Sequence, residues 1–228
     1  MKIPNEKNKF LNFPCYTRRQ TMAKFLAKYE LFKKILNIKG SIVECGVHEG
    51  GGLFSWAHFS TILEPYNYHR KIIGFDTFEG FKNLSKEDKR NPLAKVNKFK
   101  EKYNTYKNIV NCKNEFDKNR FLNNKEKILL VRGLAEKTIK SYLKKNKHTV
   151  VSLVYIDFDL YKPALVALKN FIPLMPKGSI IAFDEVNNPD WPGETEAMLK
   201  SLKLNKHKLS CFEFEPNISY IELGTVKQ

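Results

Sequence analysis

The chain has 228 residues, 42% of them hydrophobic and 13% aromatic, which suits one α/β domain with a sizeable core and is too short for two of typical size. That composition excludes wholesale disorder, and no apolar run approaches the length that crosses a bilayer. The formal net charge of +16 invites a nucleic-acid reading, but lysine carries nearly all of it beside abundant asparagine and isoleucine. A solvated surface with no specific nucleic-acid partner is therefore expected.

The opening residues, MKIPNEKNKF, lack the apolar core of a secretory signal, which points to a soluble cytoplasmic protein. The cysteines Cys15, Cys45, Cys112 and Cys211 make no CxxC pair and are expected as free thiols, with Cys45 in a packing role.

Residues 1–15, with Pro4 and Pro14, are expected to be irregular, either wandering over the surface or covering a site as a flap. From Thr17 to Leu36, apolar Met22, Phe25, Leu26, Tyr29, Phe32 and Ile35 recur at helical spacing, and Gly40 lies just beyond. The stretch Ser41–Gly52, SIVECGVHEGGG, then joins a short apolar run containing Glu44 to Gly46 and the triplet Gly50, Gly51, Gly52. A helix is expected over about 52–63. Strand, glycine turn and helix start together form the place where α/β proteins hold cofactors, since glycines let backbone amides approach a ligand. Ordinary strand–helix joints use the same turn, so this stretch alone leaves both readings open.

The next strand, Lys71–Phe75, ends at Asp76, one βαβ length after Glu44. An acid there grips a ribose diol or caps a turn. Residues 82–126 are rich in lysine and asparagine, with helices expected over about Leu93–Tyr103 and near Phe116. A lid or substrate-recognition insert fits them, and so does a plain surface elaboration. Lys127–Arg132 reads as the third strand, Gly133 as a turn and Glu136–Lys145 as a helix.

The run from Val150 reads as a strand buried on both faces and ends in Asp157 and Asp159. After a helix over Pro163–Phe171, the strand Ser179–Phe183 ends in a second pair, Asp184 and Glu185. Both pairs should share one carboxyl edge of the sheet with Glu44 and Asp76. Carboxylates gathered there without evident lysine partners are costly unless a cation binds among them, and all-oxygen ligands favour magnesium, calcium or manganese. Helix-capping acids are the alternative. Trp191, Pro192 and Gly193 form a rigid loop before a helix from Glu194, and HKLSCFEF, a turn at EPN and ISYIELG read as a closing hairpin. The expected fold is α/β: a Rossmann-like, mostly parallel seven-stranded sheet with helices on both faces and a C-terminal antiparallel hairpin.

The order of these features resembles the class I S-adenosylmethionine-dependent methyltransferases, and more closely the macrocin O-methyltransferase family that modifies sugar hydroxyls. IVECGVHEGG at 42–51, GFDTFEGF at 74–81 and YIDFDLYKPALVAL through IIAFDE at 155–185 carry the likeness. The resemblance implies that Glu44 and Gly46 line the methionine part of S-adenosylmethionine and that Asp76 holds its ribose. The further cofactor residues it implies are Gly50, Thr77, Phe78, Gly133 and Asp157. It implies Asp157, Asp184 and Glu185 as magnesium ligands, as in catechol-type methyltransferases, and Asp159 as general base. Glu185 replaces the family's usual second aspartate, and His48 stands where relatives carry a bulky aromatic and reads as a turn residue.

The expected activity is thus a metal-assisted O-methyl transfer to a sugar hydroxyl, on a nucleotide-linked sugar or on a precursor of a surface polysaccharide or natural product. Two rivals use the same residues differently. A dinucleotide-dependent oxidoreductase would use the glycine turn and Asp76, although EcGxxxGG departs from GxGxxG and the other acids would stand idle. A non-catalytic protein would bind acidic polymers through the lysine-rich insert. A homo-oligomer is left open.

Overall fold

The computed structural model describes residues 6–100 and 104–224. Its elements in chain order are α1 (Glu6–Leu11), α2 (Arg19–Lys34), β1 (Ser41–Cys45), α3 (Gly51–Leu63), β2 (Ile72–Asp76), α4 (Thr105–Lys118) and β3 (Ile128–Arg132). There follow α5 (Ala135–Lys145), β4 (Val151–Ile156), α6 (Tyr161–Phe171), β5 (Ile180–Phe183), α7 (Gly193–Ser201), β6 (Leu209–Phe212) and β7 (Glu215–Glu222).

The strands form one seven-stranded sheet in the order β3-β2-β1-β4-β5-β7-β6. The first five are parallel, and β7 runs antiparallel to both β5 and β6. SIVEC, VSLVYI and IIAF are buried along their whole length, which is why they read as unbroken apolar runs. Side-chain alternation divides the core into two layers. Ile42, Leu153 and Tyr155 face the side covered by Leu31 and Phe32 of α2 and Trp56 of α3. Val43, Val154 and Ile156 face Ile139 of α5, Phe171 of α6 and Met198 of α7.

The order reverses between β1 and β4, so the loops that leave these two strands diverge and open a crevice at the carboxyl edge. Backbone hydrogen bonds continue one residue past the strands there: Gly46 to Phe75 (2.9 Å), Asp157 to Cys45 (2.8 Å), Asp184 to Ile156 (3.0 Å) and Gly133 to Asp76 (2.8 Å). The positions that carry the acids are therefore held by the ladder itself.

At the opposite edge, buried Arg70 ties three elements together. It donates to Gly40 O (2.9 Å) and Ser152 Oγ (2.6 Å), to the carbonyls of Ile35 and Ile38 beyond α2 (both 3.0 Å), and to Glu64 Oε1 (2.7 Å). Those carbonyls lie past the end of a helix, where Ile35 O also accepts the amide of Ile38 (2.9 Å).

Several sequence expectations are corrected. Residues 6–11 of the expected flap form the helix α1 and 13–15 a 3-10 turn, while residues 1–5 lie outside the described part. The helix expected at Leu93–Tyr103 is absent over 93–100. Asn97 and Phe99 take left-handed backbone (φ 65° and 59°), and this segment pairs instead with Phe81, whose amide bonds Lys98 O. The second helix expected in the insert is α4, which contains Phe116.

The closing hairpin turns at Glu213–Phe214 rather than at EPN. Pro216 falls inside β7, where the register against β6 shifts, and a residue without an amide hydrogen is tolerated at such an irregularity. Stacking of Phe212 on Phe214 and on Tyr220 (25° between planes in each case) accompanies the tighter turn.

Replacing Arg70 by alanine removes the counter-ion of Glu64, which keeps only the Ser60 hydroxyl and the Asn67 amide, and takes a donor from buried carbonyls. Urea denaturation should show a loss of about 3–5 kcal/mol, the range for breaking one side of a buried ion pair.

Candidate active site

The crevice holds a cavity of about 390 Å³. Its floor is the glycine turn. Gly46 has φ 101°, and a Cβ there would lie 1.9 Å from the carbonyl oxygen of Asp157, so only glycine lets β1 and β4 exits come this close. Asp76 organises the same turn from the side. Its Oδ2 accepts the amides of Val47 (2.8 Å) and His48 (2.9 Å), and its Oδ1 accepts that of Phe78 (2.6 Å). Gly46, His48, Asp76, Thr77, Phe78 and Gly133 all line the cavity.

Glu44 and Gly50 do not line it. Gly50 caps α3 in left-handed backbone (φ 90°) against Ile109 of α4. The Glu44 side chain turns under the start of α3, where its Oε1 fills the space a Cβ on Gly52 would need (1.9 Å). Its Oε2 is buried without a hydrogen-bond partner. Burial, only partly offset by Lys28, raises its carboxyl from the ordinary 4.5 to about 8.

The two acid pairs meet as expected from their strands, and Asp157, Asp159, Asp184 and Glu185 all line the cavity. Each is held differently. Asp184 accepts the Tyr155 hydroxyl (2.5 Å) on Oδ1 and the Lys24 ammonium (2.7 Å) on Oδ2. Burial opposes its ionisation, but Lys24 and Lys28 outweigh burial and hold its carboxyl below the usual range. Asp157, partly buried, is driven up by desolvation and by the ionised Asp184 beside it. Asp159 stands in left-handed backbone (φ 58°), and burial with the nearby Glu185 and Asp184 raises it to about 7. Glu185 accepts the side-chain amide of Asn188.

These neighbours correct the premise that the acids lack lysine partners. Lys24 and Lys28, one turn apart on α2, both reach the site. Lys28 is buried with its ammonium 3.9 Å from the centre of the Tyr155 ring. The sequence reading missed both, because scattered lysines gave no sign of which ones face inward. It also missed Glu194 as a site residue. Fully buried at the start of α7, Glu194 accepts the amides of Asp159 (3.1 Å) and Glu185 (3.3 Å), and so clamps the two acid loops together. Asp157, Asp159 and Glu194 can bring ligand oxygens within 4.8 Å of one another. The adjacent Gly193 admits this closeness, since a Cβ there would lie 2.6 Å from the Tyr161 nitrogen.

The insert builds the outer wall. Phe81, Phe99 and Trp191 pack edge or tilted with centroids 5.3–6.2 Å apart, His48 meets Phe99 at 6.0 Å, and Lys98 lies over Trp191 at 4.5 Å. Arg90 bonds both oxygens of Glu196 on α7, and Asp88 accepts the amide of Tyr161 at the start of α6 (2.8 Å). Cys45, in contrast, packs in the core with its thiol pushed up by burial.

A parallel sheet that reverses at β1/β4, ends in an antiparallel pair and gathers a glycine turn with strand-end acids around one cavity is the architecture of the class I methyltransferases. The chain belongs to the macrocin-O-methyltransferase (TylF) family, whose profile matches residues 18–206. This membership sets the dinucleotide-oxidoreductase reading aside.

The chain is similar to the calicheamicin methyltransferase CalS11, with 34% identity over 98% of this chain and 87% of that one and a TM-score of 0.92. A structure of apo CalS11, described as a TDP-rhamnose 3'-O-methyltransferase of calicheamicin biosynthesis, gives 32% identity over 98% and 88% with a TM-score of 0.84. The O-methyltransferase NovP shares the fold at 15% identity, covering 88% and 79%, with a TM-score of 0.64. A search of curated protein sequences finds no match. Among the described residues, no helix is long and apolar enough to cross a membrane.

Because Glu44 holds its proton more tightly folded than unfolded, its contribution is fully present below pH 4.5 and is lost as pH rises through about 8. Glu44→Gln, which cannot ionise, should therefore gain in melting temperature relative to the native protein between pH 5 and pH 8.

Proposed function

We propose that this chain is an S-adenosylmethionine-dependent O-methyltransferase acting on a sugar hydroxyl, with a nucleotide-linked sugar as the acceptor class, assisted by a divalent cation such as magnesium. One observation carries the reading: a single cavity joins the Gly46–Asp76 turn to Asp157, Asp159, Asp184 and Glu185.

The residues fit both groups. The close approach of Gly46 to Asp157 leaves a floor free of side chains, and about 390 Å³ suits a compact ligand. Asp76 and Phe78 would hold the ribose end, with Gly46, Thr77, Gly133 and Asp157 along the rest of the donor. Glu44 and Gly50 would act from behind, by shaping the turn. An all-oxygen donor set suits a hard cation, which Asp157, Asp184 and Glu185 would hold after Asp184 and Glu185 give up Lys24 and Asn188. The oxygens of Asp157, Asp159 and Glu194 already lie within 4.8 Å of one another.

When bound, S-adenosylmethionine supplies an electrophilic methyl group and the cation supplies Lewis acidity at a hydroxyl oxygen. The protein's own part is to orient and to move one proton. Asp159, ionised, accepts the proton of the attacking hydroxyl on a carboxylate oxygen, and Glu194 fixes the Asp159 backbone that aims it. Phe81, Phe99 and Trp191 offer apolar faces to the C–H face of a sugar ring and keep water from the reacting atoms. Lys82 and Asn83, also on the cavity wall, are placed for an acceptor's charged or polar part.

S-adenosylhomocysteine should raise the melting temperature of the purified protein, and the methyltransferase reading fails if it does not. Asp184→Ala should abolish turnover and keep that stabilisation, Asp157→Ala should abolish turnover and weaken it, and full activity in chelator would contradict the cation.

A second expectation concerns the base. Burial and the neighbouring acids raise Asp159 to about 7 in the ion-free site, and a bound cation draws it down again, so kcat/KM should rise with pH through a value below 7 as the carboxylate ionises. Asp159→Asn should remove this limb and lower kcat by about 10²–10⁴-fold; an unchanged pH profile would assign the proton to another group.

A further inference from the structure

Lys24 enters the site from α2, and its ammonium bonds Asp184 Oδ2 at 2.7 Å. It is also attracted by Asp157 and Glu185, so one lysine answers the same three carboxylates assigned above to a divalent cation. The two ends of this ion pair differ in freedom. The Asp184 side chain is 6% exposed and is anchored through Oδ1 to the Tyr155 hydroxyl, with its backbone amide in the sheet ladder. The Lys24 side chain is 43% exposed, on a long flexible stem at the cavity wall. A lysine of that kind can return its head to water at small cost, whereas the aspartate cannot move. Oδ2, moreover, has no room for two cations at bonding distance, because like charges so close repel strongly in a half-buried site.

We infer that Lys24 is the resident counter-ion of the metal-free site, and that a divalent cation binds by displacing its ammonium from Asp184 Oδ2. The inference rests on the cation reading above and adds to it. The lysine lets the chain fold with its acids compensated before any metal arrives, and it lowers the affinity for the ion that replaces it. Lys28 differs in this respect, since it is buried against Tyr155 and Trp56 and has no comparable path to water.

The test compares the full-length chelator-stripped protein with its Lys24→Met and Lys82→Met variants by calorimetric titration with Mn²⁺. Lys24→Met should bind Mn²⁺ about fivefold more tightly than the native protein, the gain expected when one competing half-exposed ion pair is removed. Its melting temperature without metal should fall, because Asp184 loses its partner. Lys82→Met removes another cavity lysine, one paired with Glu79, and should change the affinity by less than about twofold.

An unchanged or weaker affinity in Lys24→Met, or an equal gain in Lys82→Met, overturns the inference, and so does a native protein that binds no Mn²⁺. If Lys24→Met fails to fold, Lys24→Gln carries the same expectation. Stabilisation by S-adenosylhomocysteine, measured on the same samples, reports separately on the methyltransferase reading, so failure of the competition is distinguishable from failure of that reading.

Discussion

The site depends on how one edge of a parallel sheet tolerates an excess of buried negative charge. Glu44 and Asp184 at the strand ends and Glu194 at the start of α7 are buried, with Asp157 and Asp159 partly buried beside them. Removing carboxylates from water costs several kcal/mol each unless they are paired or keep their protons. The protein uses both solutions. Asp184 is ionised against Lys24 and Tyr155, while Glu44, Asp157 and Glu194 are pushed toward the neutral form. The docking of α2 on the sheet is therefore electrostatic as well as apolar, since the helix that buries Leu31 and Phe32 also delivers Lys24 and Lys28.

Geometry around this charge is set by close approaches rather than by large side chains. Gly46 lets the β1 turn lie against Asp157, Gly52 leaves room for Glu44, and Gly193 brings α7 against the loop after β4. Four residues on the cavity wall, His48, Phe78, Phe99 and Asp159, take left-handed backbone although none is glycine. Such conformations cost energy and persist where surrounding structure enforces them, as Asp76 does for the turn and Glu194 does for Asp159. The insert joins in by reaching across to α6 and α7 through Asp88 and Arg90, which sets Phe81 and Phe99 beside Trp191.

Much of this was legible in the chain. Five parallel strands declared themselves as apolar runs of four to six residues, and the acid or glycine just beyond each marked the carboxyl edge. The positions of Asp76, Asp157, Asp159, Asp184 and Glu185 on one cavity follow from strand length alone, because successive βαβ units put every strand end on the same side. Local signals failed where tertiary contacts overrode them. The helical pattern after Pro92 yielded to pairing with Phe81, and EPN became an irregularity inside a long strand because aromatic stacking closed the hairpin earlier.

Sequence periodicity thus determined the class of fold and which acids share an edge, since these depend on patterns that repeat along the backbone, whereas the strand order and its reversal between β1 and β4 came from the tertiary structure. Tertiary structure alone decided how those acids are held. It turned Glu44 away from the cavity, chose Lys24 and Lys28 from among many lysines, and made Glu194 the clamp between two loops. The physical reason is that a side chain's partner lies across the fold, at a separation no local pattern encodes: 160 residues part Lys24 from Asp184.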